Sequence, residues 1–260
     1  MQFRNAFTLV AGLFISGATF AGPIVSGFDT NTLARNDDGY TGLVNIGFDI
    51  DFFGSTYSQL YVNNNGSVTF NAPIGAYTPS GLSVLGVAYI APFFADVDTR
   101  NVGSPVTYGI GTFNGLSAFG VNWVDVGYYS NSSSYAGRNS FQLILVDRSD
   151  ISAGDFDIIF NYDSIQWEAG TASGAGANGL GGSAARAGWA SGTGEFYELP
   201  GSGVNGAFIN GGPYALVGKS FVFEVRNGVL TPIPEPKTWA MLLAGLGIVS
   251  AVSKHRRRQG

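Results

Sequence analysis

The chain contains no cysteine, which excludes disulfide staples, thiolate metal sites and cysteine nucleophiles. Its single histidine, His255, lies five residues from the end, among basic residues. A Ser–His–Asp triad or a histidine-ligated metal in the body of the chain is therefore excluded as well. Charged residues make up only 12%, about half the roughly 25% of an ordinary soluble domain. That scarcity argues against a charged coiled coil and against a basic surface for nucleic acid. What is abundant is glycine, 39 of 260 residues, and apolar side chains, 45% with 14% aromatic. Glycine at about twice its usual share together with many β-branched and aromatic residues points to strands joined by tight turns around a sizeable core.

Both ends read as addresses. Arg4, the apolar stretch Ala6 to Ile15 and the small-residue exit Ser16 to Ala21 follow the order of a secretory signal peptide over 1–21, with cleavage by signal peptidase expected after Ala21. Near the other end, residues 231–238 form a proline-rich spacer holding Pro234, Glu235 and Pro236. An apolar run from Trp239 to Val252 follows, then Lys254, Arg256, Arg257 and Arg258. As a helix those 14 apolar residues span about 21 Å at ~1.5 Å per residue. The hydrocarbon core is ~30 Å, so a transmembrane helix over 239–253 is short and relies on snorkelling by the basic residues. The basic tail 254–260 acts as the stop-transfer signal and stays cytoplasmic, which puts the body outside.

The order Pro-Glu-Pro, apolar segment, arginine cluster resembles the PEP-CTERM sorting signal of Gram-negative bacteria, most closely over PEPKTWAMLLAGLG. The resemblance implies recognition by an exosortase, a membrane protease that cuts near Pro234–Pro236, and association with exopolysaccharide. Charge fits this topology. Seven of the 13 basic residues and all 18 acidic ones fall between Gly22 and Pro236, giving that interval a formal charge of −11. Such a surface repels nucleic-acid phosphates and attracts cations.

Between 22 and 230 the pattern is that of one all-β domain. Strands are expected within Leu43–Phe53, Gln59–Phe70, Phe119–Tyr129, Phe141–Asp147, Phe156–Trp167 and Ser220–Val225. Asn65-Gly66 marks a hairpin, because both residues adopt positive φ readily. Five further Asn-Gly pairs, at 114, 178, 205, 210 and 227, mark other turns. Strands apolar on both faces suit an antiparallel β-sandwich or a sheet covered on both sides. The small-residue stretch Thr171 to Ala187 reads as a long loop.

Several segments together resemble the NIDO (nidogen extracellular) domain over about residues 45–205. They are Asn45–Phe70, IAPFFADVDTR at 90–100, Val121–Tyr129, Asn139–Val146, DFDIIFNYDSIQWEAG at 155–170 and Ala187–Ser202. The resemblance implies an extracellular β-rich module of cell–matrix adhesion and no enzymatic activity.

Two constellations are candidates for binding. Asp96 and Asp98 share a strand face at i, i+2, ~6.5–7 Å apart, and are candidate calcium ligands; the competing readings are turn caps or partners of Arg100. No other cofactor is indicated. Trp123, Trp167 and Trp189 are candidate sugar-stacking residues of a carbohydrate-binding surface, against the alternative of core packing. The overall expectation is a non-enzymatic, exported adhesion or matrix module, with a carbohydrate-binding matrix protein as the alternative.

Overall fold

In the computed structural model, which describes residues 24–130 and 137–232, the chain is built from strands and turns. In chain order the strands are β1 (Asn31–Thr32), β2 (Val44–Phe52), β3 (Ser55–Asn63), β4 (Ser67–Thr69), β5 (Tyr89–Phe94), β6 (Val97–Gly103) and β7 (Thr107–Phe113). There follow β8 (Leu116–Tyr128), β9 (Asn139–Asp147), β10 (Phe156–Ser164), β11 (Arg186–Ala190), β12 (Phe196–Glu198), β13 (Ser220–Arg226) and β14 (Val229–Pro232). Two 3-10 turns, Leu82–Val84 and Thr171–Ser173, complete the regular structure.

The strands form two antiparallel sheets. The larger runs β1-β7-β8-β9-β10-β13-β14, with β6 also on β8; the smaller runs β12-β11-β5-β4-β3-β2. The expected all-β antiparallel architecture is what forms. The signal segment 1–21, Pro234–Pro236, the expected span 239–253 and the basic tail all lie outside the described residues. Among the described residues no helix is long and apolar enough to cross a membrane.

Alternation along β9 shows how the sandwich is filled. Phe141, Leu143 and Leu145 point into the main core, where they join Val62, Val68, Ile90 and Phe93 of the smaller sheet. Ile144 and Val146 point the other way, into a second cluster with Phe28, Ala118 and Ile159. The outer face of the larger sheet is thus covered by the N-terminal segment, which explains why β9 is apolar on both faces. Each fully buried aromatic or aliphatic side chain contributes about 1.5–3 kcal/mol of transfer free energy.

That outer face also carries a row of amides. The Gln142 side chain donates to Val25 O and Asn122 Oδ1, and its Oε1 accepts from Val25 N and Asn161 Nδ2. Asn122 donates to Phe28 O, and Ser220 donates to Asn161 Oδ1. The row runs across β13, β10, β9 and β8 and ties the N-terminal segment to the sheet. Asn122, Gln142 and Asn161 are buried, so each bond also spares an amide the penalty of being unpaired.

The Asn-Gly pairs at 114 and 227 make two-residue hairpins, Phe113 facing Leu116 and Arg226 facing Val229, with positive φ at both turn residues. The pair at 65 does something else. Asn63 faces Ser67, so the loop has three residues, and only Gly66 takes positive φ. Gly66 is further required by contact: a β-carbon there would fall 1.8 Å from Phe93 O. Phe53-Gly54, with no Asn, also makes a two-residue turn at φ 55° and 77°. The Phe53 ring lies against Phe52 and Trp189, at centroid distances of 4.8 and 5.4 Å, which offsets the roughly 1–2 kcal/mol cost of a left-handed non-glycine residue.

β5 lies in the middle of its sheet although it contains Pro92, a residue ordinarily kept from central strands. The register against β11 shifts just there, between the pairs Phe94–Arg186 and Ala91–Gly188. The proline sits at the irregularity, where the ladder requires no N–H from it, and its carbonyl accepts a 2.6 Å bond from the Tyr162 hydroxyl.

Candidate functional site

Three consecutive asparagines, Asn63, Asn64 and Asn65, are buried at the tip of the β3–β4 hairpin. Buried amides must be bonded, and these bind four surrounding segments. Asn63 bonds Ser67, Thr69 and the Ile74 amide. Asn64 donates to the carbonyls of Asp37 and Val97, and its own carbonyl accepts from Trp123 Nε1 at 3.0 Å. Asn65 donates to Asp38 Oδ1 at 2.8 Å and accepts from Val97 N at 2.9 Å. The hairpin tip therefore holds the loop 36–39 against the link between β5 and β6.

That loop has its own supports. Asn36 Oδ1 accepts from Gly39 N, the Thr99 hydroxyl donates to Asn36 O, and Asn64 N donates to Gly39 O. The outcome is that Asp37 and Asp38, half-buried on the loop, meet Asp96, buried at the β5–β6 link. One carboxylate oxygen from each lies within 4.8 Å of the others. Asp96 Oδ2 and Asp37 Oδ1 are buried without a hydrogen-bond partner. Burial is the main reason that the Asp96 carboxyl is pushed up to about 8, with the charges of Asp37, Asp38 and Asp98 adding to it and Arg100 opposing. Burial and the charges of Asp98 and Asp38 push Asp37 up to about 6, Arg100 again opposing.

The expected partner of Asp96 is engaged elsewhere. Asp98 Oδ1 accepts from the Arg100 amide and Nε, and its Oδ2 accepts from Arg100 Nη2 at 2.8 Å. Arg100 also pairs with Asp37 Oδ2 at 3.0 Å and lies 5.6 Å from the centroid of the Tyr129 ring. Asp98 thus takes the Arg100-partner role. The carboxylates that join Asp96 are Asp37 and Asp38, about sixty positions upstream, which no local spacing could have linked. Their only local signal is the turn-like Asn36-Asp37-Asp38-Gly39.

The sugar-stacking expectation is overturned. Trp123 and Trp167 are 0% exposed and Trp189 7%, so none presents a ring face to a ligand. Trp123 stacks on Phe141 at 5.2 Å, Trp167 donates to Val126 O, and Trp189 stacks on Tyr197. All three belong to the main core.

The densest polar motif, DFDIIFNYDSIQWEAG, also turns inward. Asp155 accepts from Asn227 N, joining the β13–β14 turn to the start of β10. Asn139 brackets Trp167, accepting from the amides of Gln166 and Trp167 and donating to Trp167 O. Glu168 is buried and accepts from the amides of Gly206 and Phe208, at 2.5 and 2.6 Å. Burial raises its pKa, and these bonds partly counter that by favouring the charged form. Glu168 thereby anchors the turns that precede β13.

Gly170 closes the motif beside the acidic cluster. Its backbone is extended, at φ −85° and ψ 165°, so glycine is not required by conformation there. It is required by the Asp96 side chain, which fills the space that a β-carbon would take.

Comparison with known proteins bears on the whole arrangement. The nidogen-like domain model matches residues 58–112 and 106–212, and the PEP-CTERM protein-sorting motif matches 232–258. Alpha-tectorin of Mus musculus is 36% identical over 202 residues, covering 67% of this chain, and that of Homo sapiens is 35% identical over 198 residues. Nidogen of Drosophila melanogaster is 28% identical over 217 residues, covering 74% of this chain. The matched region spans only 9% of each of these tectorins and 16% of the nidogen. No solved structure matches the chain. With its matched residues lying from β3 past β12, and its sorting motif starting at the last residue of β14, the chain belongs to the nidogen-like domain family and carries a PEP-CTERM sorting motif.

Proposed function

We propose that the chain is a non-enzymatic adhesion or matrix module, exported from the cell, sorted through its C-terminal motif and associated with exopolysaccharide. The observation that carries this reading is the union, in one chain, of a nidogen-like domain at 58–212 with a sorting motif at 232–258. Signal peptidase removes residues 1–21. A span over 239–253 holds the body outside the membrane until an exosortase cuts near Pro234–Pro236.

The polar chemistry of the body supports a scaffolding role. The asparagine hairpin, Asn139, Asp155 and Glu168 are each bonded to backbone groups of other segments, the pattern of residues that hold loops in place. A surface charge excess of one sign suits an exported module that stays soluble in a crowded matrix. The relatives cover the domain and not its neighbours, so the binding partner is to be sought by experiment.

The test is the intact mass of the protein recovered from cell envelope and medium, with the exosortase present and absent. Loss of both ends, dependent on the protease, is the expected result, together with co-sedimentation of the released form with the cell's exopolysaccharide. A full-length chain retained in the cytosol with residues 1–21 attached would refute the proposal.

A further inference from the structure

We infer that Asp37, Asp38 and Asp96 form a calcium site that clamps the loop 36–39 to the link between β5 and β6. The first support is geometric. One oxygen from each carboxylate lies within 4.8 Å of the others. Calcium–oxygen bonds of ~2.3–2.6 Å place two oxygens on one ion at most about 4.6–5.2 Å apart, so the three carboxylates reach one calcium with shifts of no more than a few tenths of an ångström.

The second support is independent of the clustering. Asp96 is 1% exposed, yet its Oδ2 has no hydrogen-bond partner, and neither has the buried Asp37 Oδ1. Buried polar atoms are ordinarily satisfied, and an ionised carboxylate in such a place requires a counter-charge. Arg100 does not meet that demand for Asp96. Its guanidinium is bonded to both oxygens of Asp98 and to Asp37 Oδ2. Among the described ion pairs Arg100 holds Asp37 and Asp98, and neither Asp38 nor Asp96.

The ligand chemistry selects the ion. The ligands are hard carboxylate oxygens, and the chain has no cysteine, which disfavours soft and imidazole-seeking metals. Calcium accepts irregular shells of six to eight oxygens, whereas magnesium demands a near-ideal octahedron at ~2.0–2.1 Å. Two half-buried loop carboxylates and one buried one make an irregular shell, to be completed by carbonyl or water oxygens. An exported module would meet calcium at the concentrations that extracellular sites of Kd ~10⁻⁴–10⁻³ M require.

The inference goes beyond the adhesion reading and stands or falls separately from it. The experiment is calorimetric titration of the full chain, purified in detergent and stripped with chelator, with calcium chloride or magnesium chloride, alongside thermal melting. Saturable calcium binding is expected. At ten times Kd the melting temperature should rise by about 3–6 °C. Asp96→Asn and Asp38→Asn should each weaken binding more than tenfold, while Asp150→Asn, which alters a carboxylate paired with Arg148, should leave it unchanged. If Asp96→Asn does not fold, Asp38→Asn decides, because its half-buried side chain is less critical to packing. Absence of binding at 10 mM calcium, on the order of ten times the weakest expected Kd, overturns the inference, as does binding that survives in the Asn variants. Equal response to magnesium overturns the assignment to calcium.

Discussion

Gly170 lies against the Asp96 carboxylate so closely that a β-carbon added to it would fall 2.1 Å from Oδ2. One residue of the family motif is therefore fixed by the carboxylate of another segment. Gly170→Ala should destabilise the domain by about 1–3 kcal/mol through overpacking, read by urea denaturation. The effect should shrink in an Asp96→Ala background, which removes two of the three nearest atoms. Strictly additive effects in that cycle would mean that the contact is not the cause.

The acidic cluster sets a pH dependence in calcium-free buffer. Asp96 is raised to about 8 and Asp37 to about 6 in the folded chain, against about 3.9 for an unfolded aspartate. The native state then holds protons that the unfolded chain has released. The stabilising contribution of these protons is complete below about pH 4 and is lost as pH rises through about 6 and then about 8. Melting temperature in chelator, compared between wild type and Asp96→Asn, should run parallel above about pH 8 and diverge progressively between about pH 4 and pH 8, the variant falling less. Parallel profiles across that range would contradict the raised Asp96.

Gln142 joins the N-terminal segment to the sheet through four hydrogen bonds, to Val25 N and O, Asn122 and Asn161. Gln142→Ala should cost about 2–4 kcal/mol, because it leaves buried amides unpaired as well as removing bonds. The segment carrying Phe28 should then open before the rest of the domain. Hydrogen exchange would show this as selective loss of protection around residues 25–33. Uniform loss across both sheets would assign Gln142 to global stability instead.

Gly66→Ala combines a positive φ of 79° with a β-carbon 1.8 Å from Phe93 O. Neither backbone can yield without opening the hairpin tip that carries the three asparagines. The variant should accumulate as insoluble protein, whereas Gly115→Ala, with open space around its β-carbon, should remain soluble and lose about 1 kcal/mol from its left-handed conformation. Soluble yield and melting temperature of the two variants compare the predictions directly.

Local patterns in the sequence carried much of the fold. The runs at 119–129, 141–147, 156–167 and 220–225 lie on β8, β9, β10 and β13 because long apolar stretches bounded by turns have few alternatives to a buried strand. β5 was harder to read, since Pro92 argues against a central strand until the register shift beside it is seen. β7, TYGIGTF, is broken up by two glycines, Gly109 and Gly111, which lie against Thr30 and against Gly27 and Phe28 of the N-terminal segment. Of the site, Asp96 was legible from its aromatic, buried setting. Asp37 and Asp38 were not, because the hairpin tip that brings them to Asp96 is a tertiary contact with no sequence period. The tryptophans misled for a related reason: aromatic content alone does not say which face of a sheet a ring occupies.

β14 ends the strand order of the larger sheet, and the sorting motif starts at its final residue. Six residues, 233–238, separate that edge from the apolar run, and they reach at most about 20 Å when fully extended. Under the proposed span over 239–253, that edge lies within this distance of the lipid surface while the tail is intact. The prolines at 232, 234 and 236 lack the N–H that edge-to-edge pairing requires, so the residues of the sorting motif beside that edge are poor templates for stacking one sheet on another.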